Sequence, residues 1–448
     1  MKKAACLLVA LLILFVLVSC RHPSGGETVS GEPQSSGSVD TTSSENLPTV
    51  PSSTPSASEN SDGQASQPSS SDGASSAPAS SEETPSDTQK PTTDPLPVFT
   101  PLAAEEYHYY KNLTLPQKAA YNKMYEAVLS MPGGYISLGE AELLSETDVY
   151  LAATALKGDR PEIFWLPYAW YIGETSDGQM AILFANQLGD EHGNIESYEA
   201  TYVVGRGDRD RMAAELAAAV KEIKALVTAS TPYEIELQLH DILAERITYS
   251  AVTPARPLDH TAYGALVGGE AVCEGYSRAL QLLLYEYGIN STLVTGYAGG
   301  PHMWNQVLLE GKWYHLDLTW NDGEKALYHR YFNLTDTEIS RDHTINADYS
   351  LLSADDILGG EPFNLNLAAA TDTKQNYFVK SGFIYEKNPD SLAEKIAAAD
   401  FGKIEVKGFS EEAKTALIAA LTARGFNKEL NYNTEGDWAL ITLANLGG

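Results

Sequence analysis

Cysteine is scarce in this 448-residue chain, which has only Cys6, Cys20 and Cys273. Cys6 falls inside an apolar leader and Cys20 at its end, so a single thiol remains in the body. One body thiol permits no internal disulfide framework, and the fold must hold through its core. Positive charge is scarce too. Thirty Lys and Arg face sixty Asp and Glu, a net charge of −30, and losing Lys2 and Lys3 with the leader takes the mature chain to −32. A surface this acidic repels polyanions, which argues against nucleic acid and anionic lipid as direct partners and suits an exported protein kept soluble by its charge. Metal-ligand spacings are missing as well. There is no His-x-x-x-His pair and no Cys-x-x-Cys, so neither a metal nor another cofactor is expected.

Long apolar runs are limited to one. Met1-Lys2-Lys3 is a basic start, and residues 4–18 are unbroken apolar sequence. That run is short for a bilayer-spanning helix, which needs about 20 residues, but suits the core of a secretory signal. It ends Leu17-Val18-Ser19-Cys20, which resembles a bacterial lipobox. The resemblance implies a leader over 1–19, a diacylglyceryl group on the Cys20 thiol, and an extracytoplasmic protein anchored to a bacterial membrane or cell surface. Acyl chains contribute about 0.8 kcal/mol per buried methylene, so two chains anchor stably. From 21 to 98 there is no Phe, Tyr or Trp, and Ser, Thr, Pro, Gly and polar residues dominate. Such a segment cannot offset its chain entropy by burial. Residues 20–101 are therefore expected to be the lipidated cysteine and a tether, reaching roughly 50 Å root-mean-square.

Periodic sequence begins near residue 105. A helix is expected over 115–131 and strands over 179–185 and 198–204, within an amino-terminal α+β domain at 102–205. Helices at 209–228 and 232–247 open a second domain, taken as 206–348. Its clearest element is a helix over 273–287, where Tyr276, Ala279, Leu280, Leu283, Leu284 and Tyr287 share one face. Gly288 stands where a helix stops. Strands follow at 292–297, 302–309 and 312–319, the last two joined by Glu310-Gly311. Residues 370–448 read as a small carboxy-terminal α+β domain, with strands at 377–379, 404–406 and 438–443 and helices at 391–399 and 411–424. His240, inside a helix, is expected to be structural.

Cys273 stands at the head of its helix, where backbone N–H groups and the positive dipole end favour a thiolate and offer donors to an oxyanion. Gly275 nearby allows close backbone approach. If Glu310-Gly311 closes a two-residue hairpin, Leu309 faces Lys312, Trp304 faces Asp317 and His302 faces Thr319. His302 and Asp317 then share a face as diagonal neighbours, about 7–8 Å apart between backbones. Side chains can close that gap, and the carboxylate would orient the ring as the third member of a triad. His315 lies on the Asp317 face of the same strand, too close in sequence for a relay.

Three segments carry a resemblance: Ala271-Val272-Cys273-Glu274-Gly275-Tyr276-Ser277, His302-Met303-Trp304-Asn305-Gln306-Val307, and Trp313-Tyr314-His315-Leu316-Asp317-Leu318-Thr319-Trp320. In content and order they resemble the three motifs of the transglutaminase-like superfamily, well over about 230–345 and more loosely over 102–448. The resemblance implies an α+β, papain-like fold, with a thiol-bearing helix packed on an antiparallel sheet. It implies Cys273 as nucleophile, His302 as base and Asp317 as orienting acid. Tyr263, in Ala262-Tyr263-Gly264-Ala265-Leu266, resembles a recurring upstream block and serves either an oxyanion or packing. Trp304 either walls the cleft or packs in the core. Members of the family divide among transamidation, peptide or amide hydrolysis, and inactive forms. The expectation is a surface cysteine acyl-transfer enzyme acting on protein or cell-wall peptides. The alternative is a non-catalytic binding or scaffold lipoprotein that keeps the fold.

Overall fold

The computed structural model describes residues 96–97, 99 and 102–443, apart from 168–169, 185, 190–194, 200–201, 324–325, 349–363, 382, 384–388 and 399–402. The leader at 1–19, Cys20 and nearly all of the tether lie outside the described residues. Among the described residues no helix is long and apolar enough to cross a membrane.

Glu310 and Gly311 both take positive φ, 50° and 75°, the left-handed pair that matches a two-residue turn to the twist of its strands. Strand Lys312–Leu316 therefore returns along Pro301–Leu309 in the expected register, with Lys312 opposite Leu309 and Leu316 opposite Asn305. On the other side, Ser291–Tyr297 pairs antiparallel with Pro301–Leu309 and sets Gly296 opposite His302. Thr344–Ile345 completes a four-stranded antiparallel sheet at the outer edge.

The hairpin is shorter than expected. Its ladder stops at Leu316, and Asp317 instead caps the four-residue helix Leu318–Asn321, accepting from the Trp320 N–H at 3.1 Å. Thr319 thus never faces His302. An aspartate able to bond a backbone N–H three residues on competes with the strand ladder for the chain. The Asp317 N–H, freed from the hairpin, bonds the Tyr331 carbonyl at 3.0 Å.

The thiol-bearing helix runs Cys273–Tyr285 and is buried along its whole length. Its apolar face is legible in the sequence, but the opposite face is covered too, and Arg278 and Gln281 there donate to internal partners. Arg278 bonds Glu274 and the Lys157 carbonyl, and Gln281 bonds the Gly158 carbonyl. These bonds tie the helix to the end of helix Glu146–Asp159. Gly288, at φ 70°, ends the helix, and the Ile289 N–H returns to the Leu284 carbonyl at 3.0 Å.

Ahead of this unit, helices Leu115–Leu129 and Glu146–Asp159 pack beside a three-stranded sheet whose central strand is Gln179–Phe184. Thr114 and Ser145 cap the two helices. Met124, Leu156, Leu216, Leu239, Leu280 and Val307 belong to one apolar core that continues across residues 205 and 206. A separate core, with Leu392, Val406, Leu417 and Ile441, holds the carboxy-terminal sheet and its two helices.

Of the expected strands, one is displaced and one is replaced by a helical turn. Strand Ile195–Glu199 lies earlier than 198–204, and Val203 instead bonds the Trp165 carbonyl just before helix Arg206–Leu226. Residues Tyr377–Ser381 form a helical turn, started by the Asn376 side chain accepting from the Phe378 N–H. There Tyr377 stacks on the His329 ring at 4.1 Å. Aromatic content suggested a strand, but this side chain satisfies its surface by stacking.

Candidate active site

Cys273 opens its helix after Val272, whose extended backbone donates to the Asp259 carbonyl at 2.9 Å. Gly275 lets the helix sit close to that segment. A Cβ there would fall 2.4 Å from the Asp259 carbonyl oxygen and 2.7 Å from the Ala271 Cβ. The close approach expected at Gly275 is thus made by the chain's own backbone. Cys273 is a thiol rather than half of a disulfide, is 8% exposed, and packs with Leu293 and Met303. The Ser277 hydroxyl lies 2.9 Å from the Cys273 carbonyl and 3.1 Å from the Met303 carbonyl. It links the first helical turn to the residue beside His302.

His302 and Asp317 are both buried, and Nε2 of the ring lies 2.7 Å from Oδ2 of the carboxylate. With Nε2 donating to Asp317, the ring nitrogen that can take a proton from a thiol is Nδ1. Burial pushes the Asp317 carboxyl up, but the His302 charge and the hydrogen bonds from His302 and His343 hold it well below the usual carboxylate range. The acid is therefore ionised while sealed from water, as an orienting acid needs to be.

His343 is the residue that sequence reasoning missed. Its Nε2 lies 2.9 Å from the same Asp317 oxygen, and its Nδ1 lies 2.6 Å from Asp342 Oδ1. Asp342 also accepts from the Tyr331 hydroxyl at 2.7 Å. Burial alone would lower the His343 pKa, but its bonds to Asp317 and Asp342 outweigh it and the net direction is upward. Adjacency to Asp342 was the sole sequence hint, and it does not say which way a ring faces.

The other candidates are placed elsewhere. Trp304 is fully buried, stacked beside His302 at 5.9 Å and edge-on to His343 at 5.0 Å. It packs the site from behind and walls no cleft, because every face of the indole is covered. The Tyr263 hydroxyl donates to Glu215 at 2.6 Å, and its ring lies against Phe164. That partner occupies the hydroxyl an oxyanion role would need, so Tyr263 packs. His315 accepts from Trp304 Nε1 at 2.9 Å and reaches Asp336 at 2.9 Å, which sets it apart from Asp317.

Among the described residues, two groups bring three metal-capable atoms together: His302, Asp317 and His343, and separately His240, Asp241 and His329. In the second, Asn321 Oδ1 accepts from the Tyr331 N–H at 2.9 Å, so its amide Nδ2 donates to His240 Nε2 at 3.0 Å. His240 must then carry its proton on Nδ1, where it donates to Asp241 at 2.8 Å. His329 places both ring nitrogens on carboxylates, Asp241 at 2.9 Å and Glu405 at 2.7 Å. In the first group, both rings likewise aim Nε2 at one Asp317 oxygen.

The sequence model of the Transglutaminase-like superfamily matches residues 219–318, a span that takes in Cys273, His302 and Asp317. This chain carries a transglutaminase-like domain. Its fold is α+β and papain-like, with the thiol helix against the antiparallel sheet. Several solved structures resemble it distantly. A TGase is 13% identical with a TM-score of 0.22, over 33% of this chain and 43% of that one. A candidate cysteine protease from Cytophaga hutchinsonii is 16% identical with a TM-score of 0.21, over 34% of this chain and 61% of its own. A candidate protease from Parabacteroides distasonis is 12% identical with a TM-score of 0.20, over 32% and 35%. The chain spans less than two thirds of each of these structures. No curated protein matches the chain.

Proposed function

We propose that this protein is a lipid-anchored, extracytoplasmic enzyme that transfers acyl groups through a thioester on Cys273, with His302 as base and Asp317 as orienting acid. Its substrates on this reading are amides of surface proteins or cell-wall peptides, and Cys20 holds it at the bacterial membrane. The observation that carries the reading is the buried 2.7 Å bond from His302 Nε2 to Asp317. With Nε2 held by the acid, Nδ1 is the ring nitrogen left to act as base. The position of Cys273 at a helix head, packed on Met303 next to His302, supports the same reading.

The chemistry follows from those groups. Cys273 Sγ bonds to the amide carbon as its proton passes to His302 Nδ1, and the carbonyl oxygen becomes an oxyanion facing the helix's first turn. Collapse breaks the C–N bond, and the imidazolium returns its proton to the departing amine. Water, or a second amine, then adds to the thioester and gives its proton to His302. The C–S bond breaks, and the thiol is restored. Water gives hydrolysis and an amine gives transamidation.

One feature favours a second reading, a binding module without turnover. Cys273 is only 8% exposed, with Leu293 and Met303 against it. The soluble part, incubated with amine donors and Gln-containing proteins, separates the two. Incorporation of amine or release of ammonia that disappears in Cys273→Ala supports the enzyme. Partner binding that Cys273→Ala leaves intact, without turnover by wild type, supports the module.

A further inference from the structure

His343 is a buried titratable group that the thioester chemistry leaves without a task. Its two ring nitrogens address two carboxylates, Asp317 Oδ2 at 2.9 Å and Asp342 Oδ1 at 2.6 Å. Carboxylate oxygens accept and do not donate when ionised, so a ring facing one on each side needs a proton on both nitrogens. His343 is then an imidazolium. It shares its Asp317 oxygen with His302, whose ring centroid is 5.6 Å from its own.

We propose that His343 is a positioning residue for the thiol site, a fixed cation that holds the shared Asp317 carboxylate and tempers its pull on His302. The inference rests on the cysteine acyl-transfer reading and deepens it. In an ordinary triad the carboxylate acts on one imidazole alone. Here its charge is divided between two rings, and the second ring is anchored from behind by Asp342, itself held by the Tyr331 hydroxyl. Trp304 and Trp320 pack on His343 at 5.0 and 4.6 Å, excluding water, so its charge acts at low screening. The titratable and charged groups around His343 are Asp317, Asp342, His302 and Tyr331, with His315 beyond Trp304 and Arg330 acting through Asp342. Asp317 and Asp342 favour the cation, and its upward-shifted pKa agrees with the geometry.

A sign follows. Removing a buried cation makes each neighbouring group harder to deprotonate. Without His343 the imidazolium of His302 keeps its proton to higher pH, and so does the thiol of Cys273. The whole pH profile of the site therefore moves upward, both limbs together. A residue that merely filled space would lower rate or stability without moving it.

Alkylation of Cys273 by iodoacetamide, followed from pH 4 to 10, tests this without any substrate. The soluble part is compared as wild type, His343→Gln, Asp342→Asn and His302→Ala, each checked for a cooperative unfolding transition. For His343→Gln the profile is expected to move upward by about half to one pH unit. Asp342→Asn, which leaves the ring in place but weakens its claim to a second proton, is expected to move it the same way by less. A folded His343→Gln with the wild-type profile overturns the inference alone. If His343→Gln does not fold, Asp342→Asn decides, and its unmoved profile overturns the inference equally. A wild type whose thiol is no faster than that of His302→Ala overturns the acyl-transfer reading, and the inference with it.

Discussion

Asp317 heads a four-residue helix and still places Oδ2 2.7 Å from His302 Nε2, using its two oxygens for two tasks. Oδ1 takes the Trp320 N–H, and Oδ2 takes the imidazole. In Asp317→Asn the amide keeps a carbonyl for the Trp320 cap, and its NH₂ then faces His302. A donor there forces the His302 proton onto Nδ1, the side meant to accept from the thiol. The expected outcome is a loss of turnover of about 10²–10⁴-fold in a folded protein, the scale seen when an orienting acid is replaced. Single-turnover acylation with the folded variant measures it. Activity within a few-fold of wild type would mean that the carboxylate does not orient the ring.

Gly275→Ala tests the seating of the thiol helix. The added methyl would meet the Asp259 carbonyl oxygen at 2.4 Å and the Ala271 Cβ at 2.7 Å. Neither is the end of a flexible side chain, so the helix head must shift. Overpacking of this kind costs about 1–3 kcal/mol. Denaturant unfolding is expected to show a lower midpoint, together with slower alkylation of Cys273 in the folded fraction. An unchanged midpoint would place this close contact wrongly.

His329 joins the carboxy-terminal unit to the transglutaminase-like one. It sits between Asp241 on helix Pro232–Arg246 and Glu405 on strand Lys403–Lys407. Burial pulls its pKa down, but the two carboxylates more than reverse this and push it up to about 9. A raised histidine stabilises fully below its ordinary value near 6.5, and that contribution fades as pH rises through about 9. Between those limits wild type is expected to lose roughly 2–3 kcal/mol more than His329→Gln does. Parallel unfolding curves at pH 6.5 and 9.5 measure the difference. Equal losses in the two proteins would remove His329 as the joint.

Much of the transglutaminase-like unit could be read from local sequence because its signals are short-range. Glu310-Gly311 allows a tight turn and so fixes the register from Leu309–Lys312 to Asn305–Leu316. Apolar spacing gives the thiol helix, and Gly288 its end. What sequence could not reveal depends on contacts between distant segments. Asp317 left the strand because a cap three residues on, and the Tyr331 carbonyl, competed for it. His343 reaches the site only because Thr344–Ile345 adds to the far edge of the sheet. Trp304 and Tyr263 carry motif-like neighbours, yet complete burial in one case and Glu215 in the other decide their roles.

On the acyl-transfer reading the Cys273 thiol is served by His302, and its rate of iodoacetamide alkylation at pH 7 reads that out without any substrate. The expected result is a wild-type rate well above that of a simple thiol at the same pH, falling at least tenfold in His302→Ala while the fold is kept. Alkylation at an ordinary thiol's rate, with His302→Ala no slower, would contradict it.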